Sequence, residues 1–273
     1  MSVDPLAMPA AGAADPDAGR MGVLALTVDV IRRPAAAMAR IALRPKWRWF
    51  PPLVALAIVS VPVSIIGARQ AIALQASTVA VEAGSGEGFR SGAVEQGEDG
   101  AEIGATQAAA AQRTGMVAVV GGVVAGVIGA FLVPLVAAGV LHFLSTVLGG
   151  QQSFAEMFAT ASWARVPLIL RGVLQLVVFG AGSFDPNPAG LAGLVAPSPL
   201  DFGAERSYLE PLLAQVEIWN LWYLALLVVA VGVVARFPRK RALVVVAGFA
   251  GLSIGLGLAG IAINNAMSGL MGG

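Results

Sequence analysis

Five long apolar stretches, separated by polar or proline-rich segments, dominate the pattern of this chain. A helix needs about 20 apolar residues to cross a bilayer, and each stretch reaches or approaches that length. We therefore predict an all-α membrane protein with five transmembrane helices. The predicted spans cover about residues 52–74, 114–148, 164–183, 213–235 and 242–264.

The second stretch is longer than one crossing needs. As a helix it would run roughly 50 Å, against about 30 Å of hydrocarbon. Two crossings and a turn would need about 40 apolar residues. We predict one span that tilts, protrudes or breaks, with Pro134 as the natural kink. A further helical portion is expected before it, in "AEIGATQAAAAQR" at 101–113.

An amphipathic segment at 21–50 precedes the first span, after a tail at 1–20 that is rich in Ala, Pro and Asp and is predicted to be disordered. Pro34 divides the segment, because proline suits the first turn of a helix. Two arrangements remain open: helices that lie in the membrane interface, or cytosolic helices that pack on the protein itself. The transmembrane domain is predicted over 51–264, followed by a short tail at 265–273.

The third span is preceded by a short amphipathic stretch. Ser153 is predicted to cap a helix, and Glu156 three residues later completes a capping box. Phe154, Met157 and Ala161 then fall on one face of that helix.

Composition agrees with a membrane protein and excludes several kinds of site. Apolar residues make up 57% of the chain and charged residues 12%, with a mean hydropathy of +0.80. The chain has no cysteine and one histidine, His142, so thiolate chemistry and multi-histidine metal sites within one chain are excluded. We predict no metal and no cofactor. The net charge of +1 gives no reason to expect nucleic acid as a partner.

The distribution of lysine and arginine predicts the orientation. With the N-terminus inside, 12 of the 17 basic residues fall on the inner side, 4 on the outer side, and Arg171 within a span. The positive-inside rule therefore favours a cytoplasmic N-terminus and an external C-terminus. An odd number of spans agrees with that orientation.

Among the polar side chains within the predicted spans we single out His142, Arg171 and Gln175. Ionisable residues inside a bilayer are costly and often functional. Arg171 is expected in the inner half, where it could snorkel to the headgroups or bind a lipid phosphate. His142, near the inner end of span two, could approach it. A transport path past Pro134 and these side chains is a third alternative.

Small residues recur at a spacing of four in two spans, at Gly122 and Gly126 and at Gly251 and Gly255. Small residues let helices approach closely in lipid. We predict that these faces pack, either within the chain or between subunits.

The stretch "EIWNLWYL" at 217–224 begins the fourth span and is typical of an aromatic belt at the outer headgroups. The stretch "PKWRWFPP" at 45–52 indicates a similar belt on the inner side. We predict that six basic residues near it bind anionic headgroups, each worth about 1 kcal/mol near the surface. They are Arg32, Arg33, Arg40, Arg44, Lys46 and Arg48. No HExxH or P-loop pattern is present, and we predict no catalytic residue.

Three segments together resemble the Yip (Ypt/Rab-interacting protein) membrane protein family, in its bacterial branch. They are "RRPAAAMARIALRPKWRWFPPL", "HFLSTVLGGQQSFAEMFATASWARVPLIL" and "IWNLWYLALLVVAVGVVARFPRKRALVVV". The resemblance covers about residues 28–264. It implies five spans with a cytosolic N-terminus, here in a bacterial inner membrane. In eukaryotic members it implies roles in vesicle trafficking and membrane shaping.

The leading functional hypothesis is a non-enzymatic membrane scaffold or accessory protein, which organises a membrane complex or the local bilayer. Its expected partners are membrane lipids, other membrane subunits or further copies of itself. Two alternatives remain: a small-solute transporter or channel, and a structural subunit of a large energy-transducing membrane complex.

Overall fold

The computed structural model describes residues 22–66, 98–180, 191 and 207–271, and over these ranges it contains helices and no strand. We number the ten helices of these described ranges in chain order. They are α1 (Val23–Arg32), α2 (Pro34–Ala42), α3 (Pro45–Arg48), α4 (50–66), α5 (Glu98–Val147), α6 (Phe154–Ala164), α7 (Val166–Gly180), α8 (Glu210–Ala214), α9 (Ile218–Val234) and α10 (Arg239–Met271). The predicted all-α class is confirmed for this part of the chain. The predicted tail at 1–20 and the ends of the first and third spans lie outside it.

Four helical segments are long and apolar enough to cross a membrane: Pro45–Ile66, Val119–Val147, Phe154–Val178 and Arg239–Met267. The fourth predicted span corresponds to α9, an apolar helix of 17 residues. Its length is about 26 Å, slightly less than the roughly 30 Å of a hydrocarbon core.

Helix α5 is continuous from Glu98 to Val147. The helical portion predicted at 101–113 is therefore the first part of the same helix that contains the second span. Pro134 lies inside the helix, which is assigned as helical on both sides of it. The C-terminal helix is also longer than predicted, because α10 continues to Met271 through most of the predicted tail.

The turn between α5 and α6 follows its local sequence. Gly149 adopts φ +88, a conformation that favours glycine, and the Gly150 amide donates to the Ser145 carbonyl at 2.8 Å. The predicted capping box then begins α6: the Glu156 amide donates to Ser153 Oγ at 3.3 Å, and the Ser153 amide donates to Glu156 Oε2 at 2.7 Å.

The best-packed core lies where α2, α6 and α9 meet, with parts of α5 and α10 against them. Its largest fully buried side chains include Met38, Ile41, Leu141, Trp163 and Leu227. The far halves of α5 and α10 are different, since apolar side chains such as Val120, Ile128, Leu252, Leu256 and Ile263 are exposed. Such surfaces suit contact with lipid or with another protein.

The N-terminal helices α1 and α2 pack on the protein. Leu26 and Val30 of α1 and Ala37, Met38 and Ile41 of α2 are buried in the core, and α2 contacts both α6 and α9. Of the two arrangements that the sequence left open, packing on the protein is the one that buries these apolar faces. The basic side chains of the same helices remain toward the outside.

Candidate functional site

The polar side chains of interest lie where α6 and α7 run beside α9. Arg165 stands at the junction of α6 and α7, and Arg171 follows six residues later. Arg171 meets Glu217 at the start of α9, whereas Arg165 meets Tyr223 six residues further along α9. Residue numbers therefore increase in opposite directions along the two helices, so α7 and α9 are antiparallel.

Arg171 forms an ion pair with Glu217. Arg171 Nη1 lies 2.9 Å from Glu217 Oε2, and the two side chains are 31% and 10% exposed. Glu217 is the N-cap residue of α9, where the helix dipole favours a negative charge. The sequence placed Glu217 only in an aromatic belt, so this carboxylate partner was not foreseen. Arg171 therefore extends toward the beginning of α9, and its Nε is buried without a hydrogen-bond partner.

Arg165 is more deeply enclosed than Arg171 and lacks such a partner. It is 8% exposed, and its Cζ lies 5.4 Å from the centroid of the Tyr223 ring. Its Nε and the Tyr223 hydroxyl are both buried, and neither makes a hydrogen bond of normal geometry within the described part of the chain, although the two side chains are close enough to interact. No carboxylate in the described part of the chain forms an ion pair with Arg165. Stacking over the ring supplies a cation–π contact but no counter-charge.

A series of polar contacts joins the N-terminal helices to this region. The Trp163 indole Nε1 donates to the Arg48 carbonyl, and Arg48 Nη1 donates to the Arg40 carbonyl at 2.9 Å. Arg40 Nη1 lies 2.8 Å from Asp29 Oδ2. These contacts place α3 beside Trp163, two residues before Arg165.

The exposed basic residues of α1–α3 form what we call the basic platform: Arg32, Arg33, Arg44 and Lys46. Arg40 and Arg48, also predicted to bind headgroups, are half-buried and make the contacts given above. Trp47, between them in sequence, is 80% exposed. The combination of outward basic side chains and an outward indole remains consistent with contact at a membrane surface, which stays a prediction.

His142 belongs to a different location. Its Nδ1 lies 3.5 Å from Gln152 Nε2, and its ring packs edge-on against Phe154, so its contacts are at the α5–α6 turn. No hydrogen bond or ring contact in the described part of the chain joins it to Arg171. Gln175, one turn beyond Arg171, is half-buried.

The predicted packing glycines divide into two kinds. A Cβ at Gly126 would lie 3.2 Å from Ser64 Oγ, so this glycine faces α4 closely. Gly251 and Gly255 have no atom within 4 Å of a Cβ built on them, so no described residue of this chain packs against them. The surroundings of Gly122 lie outside the described set. Gly172, which the sequence did not single out, faces Val59 of α4 so closely that a Cβ would clash.

No group of three or more His, Cys, Asp or Glu side chains suited to a metal ion occurs among the described residues. The polar site consists instead of two arginines, a carboxylate and a phenol at a helix interface. Such an arrangement can hold helices together or bind an anion.

The Yip1 domain family model matches residues 28–261 of the chain. The chain belongs to this family. The match includes α2 to α9, most of α10 and the arginines described above. No curated protein matches the chain, and no solved structure matches it. Together with its four candidate spans, the family match makes this Yip-family chain a membrane protein.

Arg165, Tyr223 and Glu217 are not among the site residues predicted from the sequence. One usable signal was present: a basic residue in one apolar stretch and an acidic residue at the start of the next can pair when the two helices are antiparallel neighbours. Because Arg171 and Glu217 are 46 positions apart in sequence, that pairing stays undetermined without the fold.

Proposed function

We propose that this Yip-family protein is a non-enzymatic scaffold, which organises a partner protein or the local bilayer from an integral position in a bacterial inner membrane. The observation that carries the proposal is the fixed position of the basic platform. Apolar faces of α1 and α2 are buried in the core, and the contact between Trp163 and Arg48 attaches α3 to α6. A fixed basic surface is pre-organised for binding, because little ordering entropy is lost when a ligand binds.

We further propose that α9 is a fifth crossing. It is antiparallel to α7, and it packs against α10 across the short turn at 235–238. Its 17 residues fall short of a typical bilayer thickness by only a few ångströms, which small local thinning accommodates. Five crossings with the N-terminus inside bring the basic platform and the basic turn around Arg239 to the cytoplasmic face, as the positive-inside rule favours.

The test is purification of the full chain from its native membrane in a mild detergent, followed by mass spectrometry of bound proteins and lipids. We expect a stoichiometric partner or bound anionic lipid. A variant with glutamine at all four positions of the basic platform should lose the bound partner or lipid. The matched control replaces the four exposed basic residues of the α9–α10 turn by glutamine: Arg236, Arg239, Lys240 and Arg241.

If the platform variant loses the bound partner or lipid and the control variant retains it, the result supports a scaffold that acts through α1–α3. Equal retention in the wild type and in both variants would refute the proposed role of the platform. A preparation that contains neither a partner nor anionic lipid would refute the scaffold itself.

A further inference from the structure

We propose that Arg165 and Tyr223 form a binding site for a phosphate group. This inference rests on the proposed function, because the site requires α3 to lie at the cytoplasmic headgroups. Neither sequence pattern nor family match assigns a ligand to these two residues.

The first step is the charge of Arg165. An arginine side chain remains charged in proteins, and burial without a counter-ion is costly. Arg165 is 8% exposed, and no described carboxylate pairs with it. Its position at the C-cap of α6 brings it near the negative end of a helix dipole, which supplies only about half an elementary charge. The site is therefore short of negative charge.

The second step is the unused hydrogen-bonding capacity. Arg165 Nε and the Tyr223 hydroxyl are buried and make no hydrogen bond of normal geometry with a described residue, although buried polar groups are bonded in the great majority of cases. Tyr223 is only 5% exposed. A guanidinium and a phenol together offer several donors on one side of a ligand. Phosphate oxygens match the planar donors of arginine, often through two parallel bonds.

The third step is location. Trp163 contacts the Arg48 carbonyl, so the C-terminal end of α6, which precedes Arg165, lies beside α3, whose exposed Lys46 and Trp47 are typical of headgroup depth. Two basic residues at the start of α3, Arg44 and Lys46, are exposed. Their positive charges favour an anion beside α3. The phosphate can belong to a phospholipid headgroup or to a free phosphate compound.

The experiment uses the delipidated full-length protein in maltoside detergent, and it measures thermal stability during titration. One arm adds phosphatidylglycerol in mixed micelles, and the other adds inorganic phosphate. We expect saturable stabilisation in at least one arm. Arg165→Gln should weaken the apparent affinity about tenfold or more, since a charged hydrogen-bond partner is lost. Tyr223→Phe should weaken it less, and Arg165→Lys should restore part of it.

Arg241→Gln is the control, because it removes one exposed positive charge from α10. Stabilisation by phosphatidylglycerol alone identifies a lipid headgroup as the source, and stabilisation by both ligands identifies a site open to free phosphate. A response in neither arm would overturn the site. So would an equal loss in Arg165→Gln and Arg241→Gln. If Arg165→Gln does not fold, Tyr223→Phe and Arg165→Lys decide the question.

Partner retention in the same Arg165→Gln preparation separates this site from the proposed function. If this variant loses the stabilisation by phosphate but retains the partner, the result supports the phosphate site and leaves the proposed scaffold unchanged. A normal phosphate response in wild-type protein that retains neither a partner nor anionic lipid on purification contradicts the scaffold and leaves the site standing.

Discussion

Replacing Glu217 by glutamine is expected to lower the free energy of unfolding by about 2 kcal/mol or more. The substitution keeps the shape of the side chain but leaves the Arg171 charge without its partner. Breaking one half of a fully buried ion pair costs about 3–5 kcal/mol. The 31% exposure of Arg171 reduces that figure, whereas Glu217 is nearly buried. Unfolding of both proteins in the same detergent measures the difference.

The chain supplies its own control for this prediction. Asp29 and Arg40 form another ion pair within the described residues, and their side chains are 27% and 33% exposed. Asp29→Asn should therefore cost about 0–1 kcal/mol. Replacing both Arg171 and Glu217 by methionine should recover much of the lost stability, because no unpaired charge remains. A cost for Glu217→Gln no larger than that for Asp29→Asn would mean that the pair contributes little.

Replacing Trp163 by alanine is expected to cost about 3–5 kcal/mol, the usual range for removing a large buried aromatic side chain. Trp163 is 2% exposed and belongs to the core between α2, α6 and α9. The change also removes the donor to the Arg48 carbonyl, so α1–α3 should detach more readily. Protease sensitivity of the N-terminal helices and the unfolding midpoint measure these two effects.

Two tryptophan variants separate the contributions. Trp163→Phe keeps most of the apolar volume and loses the N–H donor, so a loss of about 1 kcal/mol is expected. Trp47→Ala should change stability by less than about 0.5 kcal/mol, because Trp47 is 80% exposed. If Trp163→Ala left the N-terminal helices as protected as in the wild type, Trp163 would not be what fixes the basic platform.

Features that depend on neighbouring residues could be predicted from the sequence. Hydropathy identified the apolar helices, and the spacing of Ser153 and Glu156 identified the start of α6. These signals are local, since a helix bonds residue to residue within one turn. Helix ends are harder to predict from local signals. Composition predicted a helical portion at 101–113 before the second span, whereas the structure shows that these residues belong to the one helix that begins at Glu98.

Features that join distant residues could not be predicted. Trp163 and Arg48 are 115 positions apart, and their contact depends on how α3 meets α6. The amphipathic pattern of α1 and α2 suits a membrane surface and a protein surface equally well, because both offer an apolar contact. Only the folded chain shows that the apolar face of α2 packs on α6 and α9. Likewise, the spacing of Gly251 and Gly255 allowed helix packing, but no described residue of this chain packs against them.

The most direct test of the account is the sidedness of the two ends of α9. The chain has no cysteine, so single cysteines can be labelled without background. Tyr208 precedes α9, Lys240 follows it, and both are exposed. A membrane-impermeant maleimide should label Tyr208→Cys on intact cells and should label Lys240→Cys only after permeabilisation. Labelling of both from the same side would contradict a fifth crossing, and the reverse pattern would place the basic turn outside.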